Sequence, residues 1–145
     1  DNSEDLHRSV ALATQGPTEE EIRRKKASKL ISEAERKLGM GRLLSEGGYP
    51  CESLAPVHES VELAIRAMAM LAGEERVEGD QIPAAFLHGQ LVGKGFLGPG
   101  DAAQVSVLRE MAPAGEVEEE IARKLVASGE CIIEKAGAAL VRKCL

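Results

Sequence analysis

A histidine and two glutamates stand close together in the stretch VHESVELAIRAMAM, residues 57–70. His58-Glu59-x-x-Glu62 is one residue short of the His-Glu-x-x-His motif, in which two histidines on one helix face bind zinc. His58 and Glu62 are four residues apart, so both can lie on one face of a helix. Because a zinc site needs three or four ligands, the spacing favours a structural His–Glu pair. The alternatives are a metal site and a contact with a partner or a nucleotide.

The basic run RRKKASK, residues 23–29, is the second stretch whose residue types could bind a ligand. The candidates for a nucleic-acid contact are Arg23, Arg24, Lys26 and Lys29. Three glutamates at 19–21 precede the first cations of the run by four residues, which is the favourable order for ion pairs on a helix. The segment EEIARK, residues 119–124, repeats this order. We therefore favour a solvated, salt-bridged helix face and keep phosphate binding as the alternative.

No other stretch combines groups for catalysis or for a cofactor. GKGFLGPG, residues 93–100, carries Lys94 but lacks the G-x-x-x-x-G-K-[ST] pattern of a phosphate-binding loop, so it predicts a helix end and a turn. No serine or cysteine stands in a recognisable nucleophile motif. We therefore expect no catalytic residue, no metal site and no cofactor in this chain.

Composition narrows the class of protein. The 145 residues are 43% hydrophobic and 29% charged, which is typical of one globular domain. The net charge of −6 argues weakly against a dominant nucleic-acid footprint. Three widely spaced cysteines and the absence of a long apolar run predict a reduced, cytoplasmic setting without a membrane span. The chain begins at Asp1 without a Met, so we expect a piece of a larger protein.

Apolar residues recur with the period of α-helices throughout. The pattern predicts helices from Thr18 to about residue 46 and over about 52–72, 83–94, 102–112 and 116–143. Thr18 is the expected N-cap of the first helix, and Asp101 the expected cap of the fourth. No strand signal appears. We predict an all-α, up-and-down helical bundle of four to five helices at 17–145, preceded by a linker at 1–16.

The second helix is apolar on two sides. One stripe contains Leu54, Val57, Val61, Ala64, Ile65, Met68, Leu71 and Ala72. A second set, Leu63, Ala67 and Met70, lies off this stripe. A helix of this kind is either buried among several neighbours or contacts a partner. We therefore name Leu63, Ala67 and Met70 as the candidate interface of a homodimer.

Residues 29–73 resemble the first helix pair of HEPN domains, which are all-α bundles. The second helix of that pair is matched by Val57–Leu71, with its centre at ELAIRA, residues 62–67. FLHGQLVGKGFL, residues 86–97, resembles a later segment of the family, so that the resemblance covers about 20–143. It implies a helical bundle of this family.

The ribonucleases of the HEPN family carry an Arg followed, after four to six residues, by a His. Neither His58 nor His88 has such an Arg before it, and His7 is followed rather than preceded by Arg8. The resemblance therefore implies a non-catalytic member. A ribonuclease or toxin-system component with a displaced motif, using His58 and His88, is the alternative.

The segment PAAFLHGQLVGKGFLGPGDAAQVSVLREM, residues 83–111, is similar to C-terminal segments of some bacterial Swi/Snf-type helicases. This similarity implies an accessory helical module of a larger, nucleic-acid-dependent ATPase, whose motor lies outside this chain. The expected partners are a second copy of the chain and, through the parent protein, a nucleic acid. A direct nucleic-acid-binding module is the alternative.

Overall fold

The chain forms a bundle of helices. The computed structural model describes residues 18–74 and 81–144, so the predicted linker at 1–16 lies outside them. The described elements are α1 (Glu19–Glu46), α2 (Pro50–Leu71), α3 (Ala84–Phe86), a π-helical segment (Leu87–Val92), α4 (Pro99–Ala114) and α5 (Glu119–Cys144). No strand occurs among the described residues. The predicted all-α bundle is confirmed.

Long-range contacts establish the up-and-down order of the four longer helices. A short turn connects α1 to α2, and Gly48 adopts a φ of 89° in it, which glycine reaches without strain. α4 runs antiparallel to α5, because Asp101 binds Lys135 while Gln104, one turn further along α4, contacts Ser128. α2 packs against α1, α4 and α5 and is the central helix.

α1 begins and ends where its residues predict. The Thr18 side chain accepts a hydrogen bond from the Glu21 backbone N–H at 3.2 Å, as expected of an N-cap. The helix ends before Gly47, whose N–H reaches the Leu43 carbonyl. Its buried side consists of Ala27, Ile31, Ala34, Leu38, Gly41 and Ser45. Ile22 is 41% exposed because it lies on the side of α1 opposite to these residues.

Close packing of α1 on α2 depends on a glycine. A Cβ atom added to Gly41 would lie 2.5 Å from Val57 Cγ2 and 3.4 Å from the Ser53 carbonyl oxygen. A real side chain does not fit at that distance, so the absence of one lets the two helices approach. A Cβ atom added to Gly39, two residues earlier on the same helix, would have open space around it.

The second apolar set of α2 lies inside the bundle. Ala67 is fully buried, Met70 is 8% exposed, and Leu63 is partly buried against the core. Their neighbours are other parts of the same chain, so of the three predicted interface residues only Leu63 is more than marginally exposed. The double-sided pattern reflects the central position of α2 between three helices.

The third and fourth helices differ from the prediction in detail. Residues predicted as one helix over 83–94 form a single α-turn followed by the π-helical segment, on which Gln90 is exposed. Asp101 does not precede α4: it is the third residue of that helix, and its carboxylate accepts from the Gly98 N–H at 2.8 Å. α4 therefore begins at Pro99, and it extends one residue past Pro113.

α5 buries one apolar side against the rest of the bundle. Leu125, Ile132, Ala136 and Ala139 are buried, whereas Ile121 is 37% exposed at the beginning of the helix. None of the described helices is long and apolar enough to cross a bilayer.

Candidate functional site

Glu62 is the centre of a polar cluster between α2 and α4. Arg109 of α4 binds its carboxylate with two hydrogen bonds, from Nε to Oε2 at 2.7 Å and from the second guanidinium nitrogen to Oε1 at 2.8 Å. His58 Nε2 lies 3.2 Å from Glu62 Oε2. The Glu62 and Arg109 side chains are only 12% and 15% exposed, so this is a two-pronged ion pair that is largely removed from water.

This environment keeps the Glu62 carboxylate ionised. Burial by itself would raise the pKa of Glu62, but hydrogen bonds from Arg109 and His58 and the positive charge of Arg109 outweigh it, and the net shift is downward. An ionised carboxylate has no proton to donate, and Arg109 and His58 already occupy three of the roughly four acceptor positions of Glu62. The cluster therefore connects α2 to α4 through Arg109, and within it His58 pairs with Glu62, as their spacing predicts.

A shallow cleft of about 340 Å³ lies beside this cluster. Its described lining residues are Glu33, Lys37, His58, Glu59, Glu62, Leu63, Arg66 and Gln81. Lys37 of α1 binds Glu59 of α2 at 3.0 Å, and the Gln81 amide lies 3.4 Å from His58 Nε2. Most of the charges around the cleft are therefore paired with one another. Among the described residues, no group of three or more acidic, histidine or cysteine side chains is arranged to hold a metal ion.

The solvent side of α1 forms a continuous line of exposed residues, which we call the outer stripe. Its members are Ile22, Lys25, Lys26, Lys29, Glu33, Arg36, Met40 and Leu43. Apart from the adjacent Lys25 and Lys26, each lies three or four positions from the next along the helix. The first part, with three lysines, is the basic half. Met40 and Leu43 form the apolar half. Arg36 and Glu33, whose charged atoms are 3.7 Å apart, separate the two halves.

The structure divides the predicted basic site into two groups. Lys26 and Lys29 lie on the outer stripe and are exposed, together with Lys25. Arg23 and Arg24 lie at the edges of the buried side and are half-buried, near the carboxyl end of α2 at Leu71–Gly73. The four predicted residues thus surround the first turns of α1 rather than sharing one face.

The predicted ion pairs form on α5 but not on α1. Arg123 donates to Glu119 at 2.7 Å, and the Lys124 ammonium lies 3.7 Å from Glu120. Among the described residues of α1, no ion pair joins the glutamates at 19–21 to the cations four positions later. The prediction is confirmed for α5 and wrong for the first turns of α1.

The apolar half of the outer stripe is unusually open to solvent. Leu43 is 72% exposed and Met40 is 47% exposed, one helical turn apart. Tyr49, in the turn that follows α1, is 58% exposed. Single exposed apolar residues are ordinary, but large ones grouped at one end of a helix hairpin are typical of a contact surface.

The glycine-rich segment ends a helix, as predicted. Lys94 Nζ donates to the Ala72 carbonyl oxygen at 3.3 Å, which satisfies a free acceptor at the carboxyl end of α2. Cys51 and Cys131 are free thiols; the first contacts the Val117 carbonyl oxygen and the second Asp101, both at 3.7 Å. These groups have local structural partners.

Sequence reasoning missed Arg109 and the apolar half of the outer stripe. Arg109 follows the buried Leu108 and lies at the edge of the buried side of α4. This position next to an apolar stripe was the sequence feature that could have indicated a partly buried charge. For the apolar half, the sequence feature was that Met40 and Leu43 are apolar but do not fall on the helically spaced apolar stripe of α1.

His88 is exposed on the π-helical segment, and His7 lies outside the described residues. His88 is not among the described residues that line the cleft at His58. In comparisons with known proteins, no protein-family model matches this chain, and a search of curated proteins finds no match either.

Proposed function

We propose that this chain is a non-catalytic helical module that associates with a second copy of itself through the apolar half of its outer stripe. The observation that carries the proposal is the exposure of Leu43, at 72%, one helical turn from Met40, at 47%. Full burial of a side chain such as Leu43 is worth roughly 1.5–3 kcal/mol, so a partner that covers this group gains substantially.

A second copy suits this surface because a two-fold axis places the same patch against itself. Lys29 is 14 residues from Leu43, which corresponds to about 21 Å along the helix. An antiparallel crossing at the apolar half therefore directs the two basic halves to opposite ends, about 40 Å apart. This separation exceeds the Debye length of about 8 Å at physiological salt, so the lysines do not oppose association.

The polar groups support a binding role rather than a catalytic one. Glu62 is already held by Arg109 and His58, and Lys94 caps α2. Catalysis requires groups that converge on a free space and keep a proton or a lone pair available. The resemblance to HEPN bundles and to C-terminal segments of bacterial Swi/Snf-type helicases supports the same role, as an accessory module of a larger ATPase.

The mass of the chain in solution tests the proposal. Light scattering after size-exclusion chromatography is expected to give about twice the monomer mass of 15.4 kDa at high concentration. Leu43→Ser is expected to shift the equilibrium to the monomer. Val141→Ser is the matched control, because Val141 is an exposed apolar residue, at 59%, on a different helix, α5. A monomer at every concentration would refute self-association.

The accessory role has its own test, which does not depend on the dimer. The coding sequence upstream of Asp1 is expected to encode a phosphate-binding lysine loop and an acidic magnesium-binding motif. Co-purification of the separately expressed upstream region with this chain would support the role. An upstream sequence without such motifs would refute the helicase-type parent.

A further inference from the structure

The first turns of α1 differ from those of α5 in how their cations are used. Both helices begin with glutamates followed, four residues later, by basic residues. On α5 the cations Arg123 and Lys124 are each held by a glutamate. On α1, Arg24, Lys25 and Lys29 have no ion pair or hydrogen-bonded side-chain partner among the described residues. Their charge is therefore available to an external anion.

These cations have a defined arrangement. Lys25 and Lys29 are exposed on the outer stripe, one turn apart, which corresponds to about 6 Å along the helix axis. A cleft of about 460 Å³ adjoins them, and its other described lining residues are Glu21, Ile22, Arg24 and Lys26. Lys26 belongs to the same stripe and has an interaction of its own. The result is a short row of positive charge beside a hollow rather than isolated surface lysines.

We propose that the basic half of the outer stripe, with Arg24 beside it, binds the phosphate backbone of a nucleic acid. Duplex DNA carries one negative charge for about every 1.7 Å of its axis, so it presents several anions to a row of cations at once. A single carboxylate or phosphate engages only one or two of them. The three cations Arg24, Lys25 and Lys29 therefore favour a polyanion over a single anion.

The chemistry of the surface also defines the type of recognition. No aromatic side chain lies on the outer stripe, so there is no platform on which a base stacks. Lysine contacts to phosphates position a protein on a nucleic acid without reading its sequence. Repulsion from the glutamates at 19–21 weakens the contact. Binding is therefore independent of sequence, with a Kd on the order of 10⁻⁵–10⁻⁴ M and a strong dependence on salt.

The experiment is a titration of the full chain into a fluorescein-labelled DNA duplex of about 20 base pairs, followed by fluorescence anisotropy over a series of salt concentrations. Lys25→Gln/Lys29→Gln is compared with Arg123→Gln/Lys124→Gln, which removes the same charge from cations that are already paired. Far-UV circular dichroism verifies that both variants remain folded.

Lys25→Gln/Lys29→Gln is expected to bind DNA roughly tenfold more weakly than the unaltered chain. The slope of the logarithm of its binding constant against the logarithm of the salt concentration is expected to be shallower by about 2. The control variant is expected to lose less than about twofold. Equal losses in the two variants would overturn the proposal, because they would show an effect of total charge alone. The absence of binding by the unaltered chain at low salt would overturn it as well.

This proposal is independent of self-association, since it uses the other half of the stripe. Leu43→Ser retains Arg24, Lys25 and Lys29 and is expected to bind DNA with an unchanged salt slope per chain. A variant that becomes monomeric but still binds would separate the two surfaces. Loss of binding in Leu43→Ser would contradict the assignment of the phosphate contact to the basic half.

Discussion

The inner side of α1 and its outer stripe differ in what the fold requires of them. On the inner side, Gly41 lies against Val57, and a single added methyl group would collide with it. On the outer stripe, Lys25, Lys29 and Leu43 are exposed to solvent. None of the three belongs to the core of the described bundle. The inner side is thus determined by packing, whereas the outer stripe is free to serve a contact with another molecule.

The sharpest test of this difference replaces two glycines of the same helix by alanine. Gly41→Ala is expected to destabilise the fold by about 2–3 kcal/mol, because its Cβ has to displace a stiff, β-branched neighbour. Gly39→Ala is expected to stabilise by about 0.5–1 kcal/mol, since its Cβ meets open space and alanine favours a helix. Urea unfolding measures both. Equal effects would refute the close approach of α1 and α2.

A second test extends the comparison from packing to ion pairs. Arg109→Met is expected to cost about 2 kcal/mol, because it leaves Glu62 in a largely buried position without its main partner. Arg123→Met removes an exposed pair on α5 and is expected to cost less than about 0.5 kcal/mol. Urea unfolding of the two variants gives the comparison. A cost for Arg109→Met no larger than that of the control would mean that the cluster contributes little to the fold.

The pH dependence of stability tests the same cluster. Because the pKa of Glu62 in the folded chain is below its usual value of 4.5, its stabilisation is present above pH 4.5 and is lost as the pH falls through the folded-state value. The stability difference between the unaltered chain and Glu62→Gln is therefore expected to shrink in acid. Glu119→Gln, on the exposed pair, is expected to differ little from the unaltered chain at any pH. A Glu62→Gln difference that is constant in acid would contradict the assignment.

The smallest expected effect on stability belongs to the outer stripe. Leu43→Ser is expected to change the free energy of unfolding of the monomer by less than about 0.5 kcal/mol, since most of its side chain already contacts water. Unfolding at low protein concentration measures this value. A loss of 2 kcal/mol or more would show that Leu43 belongs to the fold and not to a contact surface.

The four longer helices were predictable because their apolar residues keep the helical period over many turns. The cap at Thr18 and the ion pairs at the start of α5 are local features, and they also followed from the sequence. The same charge order failed on α1, where Arg23 and Arg24 are half-buried beside the end of α2. A neighbouring helix changes which partners a side chain can reach, and the spacing of residues along the sequence does not reveal that neighbour.

The π-helical segment and the partner of Glu62 were beyond sequence reasoning for related reasons. A Cβ on Gly93 would lie 2.3 Å from the Gly89 carbonyl oxygen, so the end of the segment requires glycine there, but two glycines four residues apart also suit an ordinary turn. Arg109 is 47 residues from Glu62. Their meeting depends on how α4 rotates against α2, which is decided by the packing of Val105 and Leu108.

The central claim is that the apolar half of the outer stripe is a surface for a second copy of the chain. Sedimentation equilibrium over a range of concentrations tests it most directly. We predict a reversible equilibrium between 15.4 kDa and twice that mass, which Leu43→Ser shifts to the monomer and Val141→Ser leaves unchanged. A single species of 15.4 kDa at every concentration, or a dimer that Leu43→Ser does not weaken, would contradict it.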